Sequence, residues 1–153
     1  MKKKTKQKIQ WFSICLFAVY LVFMIYFLFF AEGFGRVNTE RGYTYNLVLF
    51  REIRRFWNHR ELLGMKAVIV NIAGNVICFI PFGAILPVLC RKARKLFAIV
   101  LLSFEFSLLV ECAQLLLKVG SFDVDDLFLN TLGGLIGFLL FLVCDMLRRK
   151  KYG

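Results

Sequence analysis

The chain has 153 residues, 59% of them hydrophobic and 16% aromatic, with a formal net charge of +11. Soluble domains average about 45–50% apolar, so this composition excludes an ordinary water-soluble globule, and one unit is the natural organisation at this length. The positive charge does not describe a nucleic-acid binder. Its residues sit in the two tails, a central polar segment and one short loop, flanking apolar runs, which is how membrane topology is written.

Residues 1–8, MKKKTKQK, form a basic tail expected in the cytoplasm. Residues 9–30 are expected to be the first membrane span, since about 20 apolar residues cross a bilayer core. A cleaved signal peptide is the competing reading. Its apolar region is typically about 7–15 residues long and ends at small residues; this run is longer, and FFAEGFG offers a poor cleavage site. Residues 32–66 are the long polar segment. Within them, NLVLFREIRRFWNHRELLG has helical periodicity. Leu49, Ile53, Phe56 and Trp57 share a face, and Arg51, Arg54, Arg55 and Arg60 fall largely elsewhere. That pattern suits an amphipathic helix at the membrane surface, or one packed over the outer ends of the spans. The segment holds seven Lys or Arg, which runs against the positive-inside rule if it is external; the other signals place it outside.

The second expected span, residues 68–89, carries Asn71 and Asn75 one helical turn apart. It also carries Pro81, which removes a backbone donor and is expected to kink or break the helix. The segment RKARK, residues 91–95, marks a cytoplasmic loop. The third span, residues 96–117, has Glu105 near its middle and Glu111 and Gln114 toward its outer end. A short outer loop with Asp123, Asp125 and Asp126 leads to the fourth span, residues 127–147, and to a basic cytoplasmic tail, residues 148–153. The expected fold class is all-α: an integral membrane four-helix bundle with an additional amphipathic surface helix. It passes the cell membrane several times and keeps both termini in the cytoplasm.

Depth decides which polar side chains can meet, because a helix rises about 1.5 Å per residue. On this topology Asn71, Asn75, Glu111, Gln114 and Asn130 all lie in the outer third, just beneath the aspartate loop. Polar groups are costly inside a bilayer and need partners or a purpose. Their one-sided placement predicts an outward-facing pocket rather than a through-pore. The five cysteines, Cys15, Cys78, Cys90, Cys112 and Cys144, form no CxxC pair and lie in or beside apolar runs. They argue against a zinc site or a disulfide framework. Gly133 and Gly137 form a GxxxG pair, expected to pack helices within one chain.

Three stretches, NIAGNVICFIPFGAILP (residues 71–87), ECAQ (111–114) and FDVDDLFLNTLGGLIG (122–137), also resemble the VanZ-like family of bacterial membrane proteins. Their order and combination make the resemblance specific, and it covers the second, third and fourth spans. The family's founding member is associated with low-level resistance to the glycopeptide teicoplanin. The resemblance implies an envelope role and no particular reaction. Family members often carry an arginine just before the FD-x-DD turn; here Gly120 and Ser121 stand there, and Lys118 is the nearest cation.

The expected pocket residues are Asn75, Glu111, Gln114, Asp123, Asp126 and Asn130. Asn71 is read as interhelical glue, and Arg51, Arg54 or Arg55 as the partner of Glu111. For the aspartates, helix capping competes with cation binding, and one can cap while another faces the pocket. No catalytic set, metal site or cofactor is expected. The functional expectation is envelope or glycopeptide (teicoplanin-like) resistance by binding or modulation. The expected partners are the lipid bilayer together with an envelope lipid, a glycopeptide or another membrane protein, and no nucleic acid. The alternative is a membrane enzyme acting on a lipid or lipid-linked phosphate headgroup.

Overall fold

The computed structural model describes residues 3–30 and 42–152. The residues after Phe30 that bear on signal-peptide cleavage, and the beginning of the polar segment, lie outside the described residues. Among the described residues six α-helices follow one another: α1 (Lys3–Phe30), α2 (Arg51–Asn58), α3 (Arg60–Leu63), α4 (Met65–Leu89), α5 (Leu96–Leu116) and α6 (Val124–Tyr152). A 3₁₀ turn (Arg91–Arg94) joins α4 to α5. Helices α1, α4, α5 and α6 are long and apolar enough to cross a membrane, and the fold is an all-α bundle. The 25 residues of α4 span roughly 37 Å at the usual rise, enough for the hydrocarbon core and part of the interface.

The bundle is built around α6, whose contact with α4 is the most extensive, followed by its contact with α5. Small residues set the α4–α6 spacing. A Cβ on Gly133 would run into the carbonyl oxygen of Val76, one on Gly137 into that of Ile80, and one on Gly83 into that of Gly134. Backbones this close gain dispersion contacts, which matter most where lipid tails are as apolar as leucine. The GxxxG pair thus packs within the chain.

Helix α1 docks mainly on α4. Met24 is fully buried against Phe79 and Val110, with Tyr20, Cys78 and Phe106 packed around them. The Phe82 and Phe106 rings stack with centroids 5.0 Å apart. Helix α4 runs unbroken through Pro81 and Pro87, so of the kink or break expected at Pro81 the break does not occur. Pro81 removes the N–H that would bond the carbonyl of Ile77. One residue along, the Tyr20 hydroxyl donates to the Cys78 carbonyl at 2.8 Å and ties α1 to the stretch of α4 that the proline weakens. At that end of the bundle where the 3₁₀ turn lies, Arg94 donates to the Pro87 carbonyl at 2.9 Å and stands over the Phe141 ring.

Among the described residues the one non-helical pairing is a two-residue parallel ladder. Strand β1 (Tyr45–Asn46) aligns with β2 (Phe122–Asp123), Tyr45 opposite Phe122 and Asn46 opposite Asp123. It brings the polar segment onto the turn between α5 and α6, and the expectation of helices alone did not include it.

Candidate functional site

The site is assembled where α5 ends. Its last turn closes with the Lys118 N–H on the Leu115 carbonyl at 3.1 Å and the Val119 N–H on the Gln114 carbonyl at 3.1 Å. This is a Schellman closure, which needs a left-handed residue at its centre and normally uses glycine. Here that residue is Lys118, with φ 56°, a conformation that disfavours a side-chain-bearing residue by about 1 kcal/mol. Its ammonium lies 5.0 Å from the centroid of the Tyr43 ring.

The chain then enters β2, where each carboxylate has its own task. Asp123 caps α6: its Oδ1 accepts the Asp125 N–H at 2.8 Å and the Asn46 Nδ2 at 3.0 Å. Glu111, buried on α5, accepts the Asp123 N–H at 2.9 Å. Asp125 turns the other way and caps a different helix. Its oxygens accept the N–H groups of Phe50, of Glu52 at 2.8 Å and of Ile53 at 3.1 Å. An eight-residue helix such as α2 is too short to stand alone in water; a carboxylate satisfying its free N–H groups and its positive end supplies what local sequence does not. Phe50 takes a left-handed φ of 64° to enter that cap and sets its ring edge-on to Phe128. Asp126 accepts from the Asn75 amide of α4.

Deeper in the bundle, Asn130 donates to Ser107 at 2.9 Å, both side chains being buried. Ser103, Ser107, Glu111 and Gln114 are all buried on α5, forming a polar seam opposite α6. Burial raises the Asp123 carboxyl above its ordinary value. The Asp125 N–H and the Asn46 amide oppose that rise, and the charges of Asp125 and Glu52 add to it.

Above this network lies a cavity of about 680 Å³. Its walls include Arg51, Glu52 and Arg55 of α2, Asn71 of α4, Gln114, Lys118, Asp123 and Asp126. Among the expected pocket residues, Gln114, Asp123 and Asp126 line it, whereas Asn75, Glu111 and Asn130 stand behind the lining and brace it. Asn71, read from sequence as glue, faces the cavity instead. Glu105 is exposed on another side of α5. Arg55 pairs with Glu52 at 2.8 Å. The side chains of Arg51 and Asn71 make no hydrogen bond or ion pair among the described residues. Sequence reading missed Asn46, whose role depends on the ladder, and Ser107, a small polar residue with no distinguishing spacing. Arg51 was visible only as one arginine among several.

The fold and site together define a class: an all-α membrane bundle in which a short amphipathic helix, clamped by an aspartate turn, walls a polar cavity at one end. The chain belongs to the VanZ/LLP1 family, whose model matches residues 17–145. It is 31% identical over 128 residues to Protein VanZ of Enterococcus faecium, a match covering 82% of this chain and 71% of that one. No solved structure matches it.

Proposed function

We propose that this VanZ-family membrane protein acts on the bacterial envelope by binding at its cavity. It lowers susceptibility to glycopeptides of the teicoplanin type without turning over a substrate. The cavity would face outward and both termini inward. The basic 3₁₀ turn and the basic end of α6 support that orientation, because cationic loops stay in the cytoplasm. The amphipathic helix α2 would then lie at the outer headgroup level. Its arginines would serve the cavity rather than the topology code.

The observation that carries this reading is the mixed character of the cavity wall. Arg51 and Asn71, donors with no partner among the described residues, stand beside carboxylates already held by protein donors. Such a surface recognises a polar group, and its acids are tied into the fold rather than poised for proton transfer. The alternative, an enzyme acting on a lipid-linked phosphate, would need one of these aspartates to be released for chemistry.

The test is expression of the full chain and of Arg51→Gln and Asp126→Asn variants in a teicoplanin-sensitive bacterial host. Protein level is followed in parallel with the inhibitory concentration. Variants that reach normal levels yet lose the protection support the reading. Protection that tracks protein level alone, or turnover of lipid phosphates abolished by Asp126→Asn, overturns it.

A further inference from the structure

Resting on the reading of the cavity as a binding site, we infer that it takes a phospholipid headgroup bearing a primary ammonium beside its phosphate. Three observations lead there. The first is the state of the donors. Arg51 and Asn71 face the cavity with side chains bonded to nothing among the described residues. An arginine fork matches the geometry of a phosphate, and an amide adds a further donor.

The second is the strain at Lys118. It occupies the left-handed centre of the Schellman closure where glycine would fit without penalty. Yet it lines the cavity. Strained backbone held by a side-chain-bearing residue marks a position where the side chain is needed. A lysine there brings a second positive charge to the same volume as Arg51.

The third is what faces these cations. Asp126 and Glu52 also line the cavity, so a bare anion would meet repulsion as well as attraction, whereas a headgroup with an ammonium next to its phosphate meets both signs. The site is a lipid site because of its surroundings. Tyr43, Tyr45, Leu49 and Trp57 are all exposed around this end of the bundle, the amphipathic and aromatic belt of a membrane interface. Acyl chains would lie along the apolar flanks while the headgroup enters the cavity.

The experiment uses the purified full chain in a neutral detergent, titrated separately with phosphatidylethanolamine, phosphatidylcholine and glycerophosphoethanolamine. Retained lipid is read by native mass spectrometry and the shift in Tm is followed alongside. Phosphatidylethanolamine should bind and raise Tm. Phosphatidylcholine, which has no N–H donors on its ammonium, should bind at least about tenfold more weakly, the factor expected for losing a charge-assisted hydrogen bond. Arg51→Gln should lower phosphatidylethanolamine affinity by a similar factor of about ten while leaving the unliganded Tm unchanged. Lys118→Gly should raise the unliganded Tm and still weaken binding, a combination that a purely structural lysine would not give.

Equal binding of the two phospholipids, or binding indifferent to both substitutions, overturns the inference. Equal binding of glycerophosphoethanolamine overturns its assignment to a lipid. A flat titration with every lipid, in a chain whose Arg51→Gln variant still loses glycopeptide protection, sinks this inference and leaves the proposed function standing. Selective lipid binding with unchanged protection does the reverse.

Discussion

The carboxylate of Asp125, on the first turn of α6, accepts the backbone N–H of Glu52, on the first turn of α2, at 2.8 Å. The two residues are 73 positions apart. This contact, with those to Phe50 and Ile53, makes the aspartate turn the clamp that holds the wall of the cavity. Asp125→Ala would leave the α2 N–H groups without their acceptor. It should destabilise the folded chain by about 1–2 kcal/mol, the range for losing a helix cap. Limited proteolysis should show the damage locally, with cleavage appearing around α2 before the spans are attacked. Asp125→Asn keeps an acceptor oxygen and should fall between the two.

Asp123 gives the site a pH dependence with a definite sign. Its carboxyl is raised in the folded chain, so the folded state holds the proton more tightly than the unfolded state does. The stability that this group contributes is therefore full below the ordinary aspartate value of 3.8 and is lost as pH rises through the raised folded value. Both of its described donors land on Oδ1, so a proton on Oδ2 leaves them in place. Asp123→Asn retains that acceptor and removes the titration. Thermal melts across the mildly acidic range should show a shallower decline of Tm with rising pH for the variant than for the parent chain. An equal slope in both would contradict this assignment.

A glycine on each of α6 and α4 makes a matched pair of controls. Gly137→Val would drive its side chain into the Ile80 carbonyl and push α4 away. Overpacking of this kind typically destabilises by about 1–3 kcal/mol. Gly74, on α4, has nothing within 4 Å of its missing Cβ. Gly74→Ala should be neutral or stabilise by up to about 1 kcal/mol through helix propensity. Melting in detergent separates these outcomes.

Tyr20 tests how α1 is held. Tyr20→Phe keeps the ring in its cluster and removes the hydroxyl, which donates to the Cys78 carbonyl of α4 and also lies 3.0 Å from Met24 Sδ within α1. Interhelical bonds in membrane proteins average about 0.6 kcal/mol, so a small drop in Tm is expected. Cross-linking between cysteines introduced on α1 and α4 should show looser docking.

Much of this architecture was legible in one dimension. The four long helices follow from the lengths of the apolar runs, because a bilayer accepts only segments that satisfy their own backbone. The amphipathic helix follows from the spacing of Ile53 and Phe56 against the arginines, and the close α4–α6 approach from Gly133 and Gly137. The level at which Gln114, Asp123 and Asp126 gather follows from helical rise alone. The division of labour among the acids was not legible. Asp123, Asp125 and Asp126 are near neighbours of one residue type, yet one caps its own helix, one caps α2 and one holds Asn75 while lining the cavity. Local propensity cannot separate them, since each partner arrives from a distant segment and the choice is made by helix rotation and by the Tyr45–Phe122 ladder. Sequence alone therefore sets which segments are long and apolar enough to cross a membrane, and at which end of them the polar chemistry collects. Tertiary structure alone decided which groups face the cavity, because a buried carboxylate goes to whichever donors packing brings within hydrogen-bond reach.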